Sequence, residues 1–335
     1  MPKVGKQTWV FTNPPVIQAT GTVAGKTESD GPFGDEFDIR HTDDRLGKNT
    51  WEHAEQTMFN EAIHEALRKG GKQPTDIDLM IGGDLNAQLT SFYVGNRDFP
   101  IPALGVYAAC ASITEALSVA SLAIDGGYAD YVLAGTSSHN STAERQFRFP
   151  TEYGAQRPPT AQRTVTGSGV ALLGRTGTGV QVSAATIGHI CDYGIKSPWE
   201  MGAAMAPAAK STIVAHLRDT GRTLADFDCV ATGDLGRVGL AILHDLLKQD
   251  NFDPSHVTDC GALIFRPDQP EVFSGGSGGA CCSLVTFAHF LRKLTEGTWQ
   301  RILVSATGAL LSNVSAQQGD TIPCVSHAVV LERKG

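Results

Sequence analysis

Short apolar segments alternate along the chain with longer segments in which apolar residues recur every three or four positions. Residues 67–85, LRKGGKQPTDIDLMIGGDL, show both features, because an amphipathic helix end and a glycine turn precede a short apolar strand. After Cys110, the residues Ile113, Leu117 and Leu122 fall on one side of a predicted helix. In each half of the chain the pattern predicts strand, helix, strand, helix, strand, helix and a final strand pair. Such alternation predicts mixed, largely parallel sheets covered by helices.

The pattern occurs twice in the chain. Residues 67–85 align without a gap with residues 217–235, LRDTGRTLADFDCVATGDL. Two further pairs of segments resemble each other in the same order: 126–139 with 296–310, and 166–175 with 324–333. Three similarities in register indicate two copies of one α/β unit. We therefore predict an N-terminal half at residues 1–178 and a C-terminal half at residues 179–335.

Polar and small residues follow several of the predicted strands. Ligands bind outside the carboxyl ends of the strands in α/β sheets, so these positions are the main physical indication of a site. They are Gly83-Asp84, Cys110, residues 136–140, Gly233-Asp234, residues 275–279 and Thr307-Gly308.

Composition and charge exclude several classes of protein. The 335 residues are 41% hydrophobic and 19% charged, which is enough to bury a large core. The net charge of −8 argues against a general nucleic-acid binder. No apolar run approaches the roughly 20 residues of a membrane-spanning helix. The N-terminus, MPKVGKQTWVFTNPP, lacks the apolar core of a signal peptide, so we expect synthesis and folding in the cytosol, with docking onto a membrane partner still open.

The seven cysteines do not form a recognisable framework. Their number is odd and no CxxC spacing occurs, which argues against structural disulfides and structural zinc. Cys110 is different, because GVYAACASITEAL places it at the start of a predicted helix. A helix N-terminus lowers a thiol pKa and favours a thiolate. Three interpretations remain: a small core residue, a pocket residue inherited from a nucleophile, or a working nucleophile with a base elsewhere.

The duplicated pattern resembles the thiolase superfamily of thiolases and ketoacyl synthases, in which two fused α/β halves form a five-layer αβαβα sandwich. YAACASITEAL is similar to the nucleophile turn of that superfamily, with Cys110 in the position of the acyl-carrying cysteine. The resemblance implies that two groups from the second half, commonly histidines or a His–Asn pair, would activate the thiolate. It also implies a dimer.

The acid–base groups implied by that resemblance are missing from the matching segments. Where condensing enzymes carry a histidine, this chain has Ala231-Thr232-Gly233-Asp234. In the glycine-rich turn FSGGSGGACCS, the histidine position holds Gly276 and the next position holds Ser277. The loop VSATGALLS has no second cysteine. We therefore expect a relic nucleophile, and glycines at 275–279 that leave space where an enzyme has its histidine. FSGGSGGACCS also lacks the GK[ST] of a phosphate loop, which argues against nucleotide binding.

Several segments narrow the resemblance to the stage V sporulation protein AD family of spore-forming bacteria. They are GKQTWVF, ATGTVAGKTESDGPFGDEFD, TSSHNSTAERQFRFPTEYG, AMAPAA, TGDLG, GGSGGACCS and SATGALLS. This resemblance implies binding of dipicolinic acid, pyridine-2,6-dicarboxylate. It also implies work with integral-membrane sporulation proteins that move dipicolinate with calcium into the spore. It places the protein peripherally at the spore inner membrane and implies no cofactor, resident metal or nucleic-acid partner.

Each candidate ligand-binding residue has a structural alternative. Asp84 and Asp234 occupy equivalent places in the repeat and could cap turns, hold calcium or orient an arginine. His139 could cap its loop, donate to the pocket or act as an unusual base. An arginine of the segment 139–163 could meet a ligand carboxylate or stay in a solvated loop or dimer contact. We predict a ligand site formed by Cys110, Asp84, Ser138, His139, Arg145, Arg148, Thr232, Asp234, Gly276, Ser277 and Thr307.

Three function classes compete at this point. The first is a non-catalytic dipicolinate-binding protein, which is our main prediction. The second is an acyl-transferring or condensing enzyme that uses Cys110 as its nucleophile. A coenzyme A enzyme should show a basic entrance for the pantetheine phosphates, and none is evident in the sequence. The third is a purely structural subunit of a membrane complex.

Overall fold

The computed structural model describes residues 3–147 and 157–334. Three short strands and a one-turn helix lie within the first 40 residues: β1 (Lys3–Val4), β2 (Thr8–Val10), β4 (Ile39–Arg40) and α1 (Lys26–Ser29). The rest of the first half carries β3 (Val16–Ala24), α2 (Trp51–Gly70), β5 (Leu79–Gly83), α3 (Thr90–Asn96), β6 (Ala103–Gly105), α4 (Ser112–Asp125), β7 (Tyr131–Ser138), α5 (Asn140–Phe147), β8 (Arg163–Thr164) and β9 (Gly167–Gly174).

The second half repeats this succession of strands and helices. Its elements are β10 (Val180–Ile187), α6 (Met201–Thr220), β11 (Cys229–Thr232), α7 (Gly236–Gln249), β12 (Val257–Asp259), α8 (Cys260–Leu263), β13 (Gly276–Ser277), α9 (Gly279–Leu284), α10 (Leu291–Thr295), β14 (Arg301–Ala309), α11 (Asn313–Gln318) and β15 (Cys324–Arg333). A π-helical turn, Val285–Phe290, joins α9 to α10.

Sheet topology shows the duplication directly. The main sheet has the order β12-β11-β14-β15-β10-β3-β9-β7-β5-β6. Outward from the centre, the first half has the order β3-β9-β7-β5-β6, and the second half has the matching order β10-β15-β14-β11-β12. The halves meet where β3 and β10 pair antiparallel. The sheet is mixed rather than largely parallel, because β9 and β15 each insert antiparallel between neighbours while the outer three strands of each half are parallel.

Equivalent residues make equivalent contacts in the two copies of the aligned segment. Helices α2 and α6 both end at a glycine with positive φ, Gly71 (62°) and Gly221 (68°). Such a conformation suits glycine because it has no Cβ. The carboxylate of Asp78 accepts the N–H groups of residues 130 and 131, and that of Asp228 accepts those of residues 300 and 301. The sequence repeat is therefore also a structural repeat.

Five layers follow from how the helices pack. Helix α2 covers β3 and β9 on one outer side, and α6 covers β14 and β15 on the other. Helix α4 contacts β5 and β7 of its own half and also β14 and β15 of the other half, and α9 packs beside it. These two helices therefore form the central layer, and their N-termini reach the edge where the strands of both halves end. That edge holds the candidate site.

Candidate functional site

Cys110 lies in a tight turn between β6 and α4. Ala109 adopts a left-handed conformation with φ of 50°, which is uncommon for a residue with a Cβ. The Ser112 hydroxyl closes the turn, since it donates to the Ala109 carbonyl (2.8 Å) and accepts from the Ala108 N–H (3.0 Å). Cys110 is almost fully buried and immediately precedes the first turn of α4. The predicted position of the cysteine at a helix start is confirmed.

The second half contacts this turn through β14. A Cβ on Gly308 would lie 2.0 Å from the Ala108 carbonyl oxygen, so a larger residue cannot occupy that position without moving the turn. The close approach brings the end of β14, including Ala309, to the side of Cys110. Residues of both halves therefore form one site.

A small cavity lies at Cys110: its inner volume is ≈ 30 Å³, and the empty space reaches ≈ 400 Å³ only when the open solvent at its mouth is counted. Its walls are mostly apolar. Besides Cys110, four of the lining residues have side chains that carry a hydroxyl or a carboxylate: Tyr107, Thr164, Ser277 and Glu144. The remaining lining residues are Leu85, Ala109, Ala143, Met201, Ala309 and Leu311.

Two short strands form the hydroxyl-bearing wall. β8 and β13 pair in parallel, with Thr164 opposite Ser277. The Val165 N–H donates to the Ser277 carbonyl (2.8 Å), which keeps both side chains beside Cys110. Tyr107 also lines the cavity; the residue is 43% exposed overall, but burial of the phenol group raises its pKa to about 12. The phenol is therefore neutral near pH 7 and can donate a hydrogen bond.

The cavity continues into a wider outer groove. Leu85, Tyr107 and Leu311 line both, so Tyr107 stands between the inner cavity and the groove. On the groove's other side is a loop in which Gln88 and Leu89 both have positive φ, 58° and 54°. Two consecutive left-handed residues with side chains indicate a backbone held by its surroundings.

A buried polar network supports the loop and α5 beneath the groove. Glu55 of α2 has no exposed surface and accepts hydrogen bonds from Ser137 (3.0 Å), Thr142 (2.7 Å) and the Asn86 amide (3.0 Å). The same Asn86 amide also donates to Ser91 (2.9 Å). A single buried carboxylate therefore links α2, β7, α5 and the loop at the groove.

Two predicted site residues, Cys110 and Ser277, line the cavity. Ser138 instead joins neighbouring segments: its hydroxyl donates to the Val165 carbonyl (2.7 Å) and accepts from the Ala280 N–H (3.0 Å). The Thr232 hydroxyl donates to Asp259 (2.7 Å), outside the cavity. Thr307 is buried next to the Gly308 contact, but it does not line the cavity.

His139 does not point a free nitrogen at the cavity. Its Nδ1 accepts the Ser141 N–H (3.1 Å), so Nε2 carries the proton that is donated to the Asp44 carbonyl (2.9 Å). Its ring also packs against Trp51. Of the alternatives raised for His139, the geometry fits loop capping and not a pocket donor or a base for Cys110.

Arg145 lies away from the cavity walls. It is half exposed and forms an ion pair with Glu52. Arg148 lies outside the described residues. A third arginine of the same segment, Arg157, contacts a lining residue, because its Nη2 lies 3.4 Å from the Glu144 carboxylate. The arginine that touches the cavity wall is therefore one that the candidate list left out.

The two repeat aspartates have different surroundings. The Asp84 carboxylate accepts the N–H groups of Asn86 (2.6 Å) and Phe92 (2.7 Å), so it caps α3. Burial, followed by the nearby Glu55, raises its pKa to about 7. Asp234 is fully buried, and burial raises its pKa well above the usual range. The capping interpretation fits Asp84, and neither aspartate is among the described residues that line the cavity.

Gly276 does not create space in the cavity. A Cβ there would lie 2.7 Å from Ile264 and 3.0 Å from Val165. The glycine therefore permits close packing rather than opening a pocket, and this part of the sequence prediction is wrong. The hydroxyl of Ser277, the next residue, faces the cavity instead.

The residues that the sequence analysis missed were inside segments it had singled out. Tyr107 belongs to the cysteine stretch, Leu85 to the repeat, Glu144 to the arginine-rich segment, and Ala309 to the last loop. Alternation along a strand or a helix decides which side chain faces the cavity, and the motifs did not establish that register.

A cluster of metal-ligating side chains or a long apolar helix would indicate a different function. In residues 3–147 and 157–334 there is no group of three or more histidine, cysteine or acidic side chains placed to hold a metal. No helix in this part of the chain is long and apolar enough to cross a membrane. No histidine, lysine or arginine is among the described residues that line the Cys110 cavity.

Comparison with solved structures identifies the fold. The chain matches 3-oxoacyl-[acyl-carrier-protein] synthase III from Aquifex aeolicus VF5 with a TM-score of 0.58 at 17% identity, covering 95% of this chain and 99% of that one. It matches cerulenin-bound OleA from Xanthomonas campestris with a TM-score of 0.60 at 15% identity, covering 96% and 97%. The thiolase-like fold predicted from the sequence is confirmed.

Comparison with sequences identifies the family. The family described as Stage V sporulation protein AD matches residues 5–332. Stage V sporulation protein AD of Bacillus subtilis (strain 168) is 48% identical over 337 aligned residues, which cover 100% of this chain and 99% of that protein. Because both matches span the chain, it belongs to the stage V sporulation protein AD family, whose sporulation role it shares.

Proposed function

We propose that the protein binds dipicolinate in the Cys110 cavity and performs no acyl transfer. The observation that carries the proposal is the composition of the cavity: mostly apolar walls, three hydroxyl-bearing residues, one carboxylate (Glu144) paired with an arginine, and a helix start, with no histidine among the described lining residues. Apolar walls suit a flat aromatic ring, and hydroxyl donors together with the N-terminus of α4 suit a carboxylate. Family membership supplies the link to sporulation.

The absence of a histidine from the described lining residues argues against catalysis at Cys110, and the carboxylate on the wall, Glu144, is paired with Arg157. A thiolate nucleophile needs a group that removes its proton, and histidine is the usual one. The histidine closest in sequence to the motif, His139, uses both ring nitrogens for backbone contacts. The Tyr107 phenol, with its pKa raised to about 12, is a poor base near pH 7.

Isothermal titration calorimetry tests the binding proposal. Pyridine-2,6-dicarboxylate should bind with one-to-one stoichiometry. The 2,4- and 3,5-dicarboxylate isomers should bind at least 10-fold more weakly, because they place the second carboxylate in another direction. Equal binding of all three isomers, or no binding of any, would contradict the proposal. Repeating the titration with calcium tests whether the ion accompanies the ligand.

An acyl-transferring enzyme is the second candidate, and the Cys110 turn favours it. The left-handed Ala109 places the thiol at a helix start in a cavity, which is an arrangement suited to a nucleophile. Incubation with acetyl-coenzyme A followed by intact-mass measurement separates the candidates. The binding proposal expects no added acetyl group on Cys110, whereas rapid stoichiometric acetylation with turnover would establish the enzyme.

We further propose a homodimer that docks peripherally at the spore inner membrane beside integral-membrane sporulation proteins. The support for the dimer is local: β6 is the last strand on its side of the main sheet, and Leu104 within it is half exposed. Tyr93 and Tyr107 add exposed aromatic surface next to it. An unpaired strand edge with apolar neighbours favours pairing with another strand.

A further inference from the structure

We infer that Arg157 is the carboxylate-binding group of the Cys110 cavity and that Glu144 holds its guanidinium while the cavity is empty. This inference rests on the proposed function, because it names the group that would meet a ligand carboxylate there. Among the described lining residues Glu144 is the acidic one, and its side chain is 4% exposed. Its ion-pair partner is Arg157.

The contact between the two side chains leaves donors of Arg157 unused. Their closest atoms, Nη2 and Oε2, are 3.4 Å apart, longer than the roughly 2.7–2.9 Å of a strong charge-assisted hydrogen bond. Nη1 of Arg157 is buried and has no hydrogen-bond partner in the described part of the chain. Guanidinium has a planar fork that fits a carboxylate with two parallel hydrogen bonds. Arg157 therefore has a buried donor, next to a cavity-lining carboxylate, that Glu144 does not satisfy.

Three other arginines around the site contact groups that do not line the cavity. Arg145 pairs with Glu52 at the surface. Arg163 lies on β8 with its Nη1 3.5 Å from the Glu271 carboxylate, and its buried Nε has no hydrogen-bond partner among the described residues, but the acid it pairs with does not line the cavity. Arg237 donates from Nη1 and Nη2 to two backbone carbonyls (3.0 and 2.9 Å). Among the described residues, Arg157 is the cation that contacts a cavity-lining side chain.

Electrostatics explain why the pair should rearrange around a ligand. A dicarboxylate entering the cavity approaches Glu144, and two like charges in a partly buried site repel each other. When a ligand carboxylate binds Nη1 and Nη2 of Arg157, it gains an opposite charge and satisfies the buried donor. Glu144 then competes with the ligand for the same guanidinium. Removing its charge should therefore strengthen binding.

The test combines a protein variant with a ligand variant. Calorimetry compares wild type, Arg157→Ala, Arg157→Lys, Arg145→Ala and Glu144→Gln. Each is titrated with pyridine-2,6-dicarboxylate, with 6-carbamoylpyridine-2-carboxylate, in which an amide replaces one carboxylate, and with pyridine-2,6-dicarboxamide, in which amides replace both carboxylates. We expect Arg157→Ala to weaken dicarboxylate binding at least 10-fold and Glu144→Gln to strengthen it several-fold. The dicarboxamide should bind wild type more weakly but lose nothing further in Arg157→Ala, whereas the mono-amide, which keeps one carboxylate, should still lose affinity there.

Controls separate a charge contact from a structural role. Arg145→Ala removes a guanidinium paired with a surface carboxylate and should leave affinity unchanged. Arg157→Lys keeps the charge and loses the fork, so its affinity should lie between those of wild type and Arg157→Ala. Arg157→Lys also tests the contact if Arg157→Ala fails to fold, and the melting temperature of Arg157→Ala reveals whether it folds.

Three results would overturn the inference while wild type still binds dipicolinate. Arg157→Ala could bind as tightly as wild type, it could lose the dicarboxylate and the dicarboxamide equally, or Arg145→Ala could be the variant that loses affinity. Failure of wild type to bind dipicolinate would instead refute the proposed function on which the inference depends.

Discussion

Glu28 provides a quantitative test of the environment of the cavity wall. This residue of α1 is fully buried, and its Oε1 accepts the Thr166 N–H (3.0 Å), two residues beyond the lining residue Thr164. Burial raises its pKa from 4.5 to about 7, although the nearby Arg163 opposes the rise. The group is therefore protonated in the folded protein at a pH at which the unfolded chain has already ionised.

The substitution Glu28→Gln tests this, because it keeps the shape of the side chain and removes its ionisable group. Because the pKa of Glu28 is raised in the folded state, Glu28 does not lower the free energy of unfolding below pH 4.5, where it is protonated in both states. The cost in unfolding free energy grows as pH rises to about 7 and is constant above that value. At about 1.4 kcal/mol for each pH unit, the rise corresponds to about 3 kcal/mol. Relative to the variant, wild type should lose about 3 kcal/mol of unfolding free energy between pH 4.5 and 7.5.

Urea unfolding followed by circular dichroism at several pH values measures the difference between wild type and variant. Glu65→Gln is the control. The hydrogen bond from Arg68 lowers the pKa of Glu65, so its ionisation changes the free energy of unfolding only below pH 4.5. The difference in unfolding free energy between Glu65→Gln and wild type should therefore be constant from pH 4.5 to 7.5. A flat difference for Glu28→Gln as well would refute the reasoning, because it would mean that burial does not keep the carboxyl protonated.

Three further outcomes concern the cavity and the dimer. Cys110→Ser should keep most of the dipicolinate affinity, since a neutral thiol supplies little beyond shape, whereas Cys110→Trp should abolish binding in calorimetry while the melting temperature shows an intact fold. Gly308→Val should lower the unfolding free energy by roughly 2 kcal/mol or more, since its Cβ would lie 2.0 Å from the Ala108 carbonyl; an unchanged urea midpoint would argue against that contact. Leu104→Asp should convert the proposed dimer to a monomer in analytical ultracentrifugation, and a dimer that persists would place the interface away from β6 and Tyr107.

Local pattern was sufficient to predict the fold class. The match of residues 67–85 with 217–235 predicted a duplication, and the structure repeats it down to the contacts of Asp78 and Asp228. These features are encoded by residues that are close together in the sequence: a helix end, a glycine with positive φ, and an apolar strand. The position of Cys110 at a helix start was predictable for the same reason.

The membership of the site was predicted less well. Motif positions pointed to the correct loops, but the side chains that reach the cavity were often neighbours of the predicted ones, as Ser277 beside Gly276 illustrates. His139 has a residue type suited to a ligand site, yet two backbone groups occupy its ring. Residue type and strand-end position do not specify which face of the backbone meets the cavity.

The sequence by itself determined the duplicated α/β architecture, the turn that carries Cys110, and the family. Each is encoded in residues that are close together along the chain. Tertiary structure alone decided that Tyr107, Glu144 and Ala309 share one cavity, and that Arg157 is the arginine paired with Glu144. Those contacts join both halves of the duplicated chain or segments separated along it. Their geometry depends on the packing of α4 against β14, which no local pattern records.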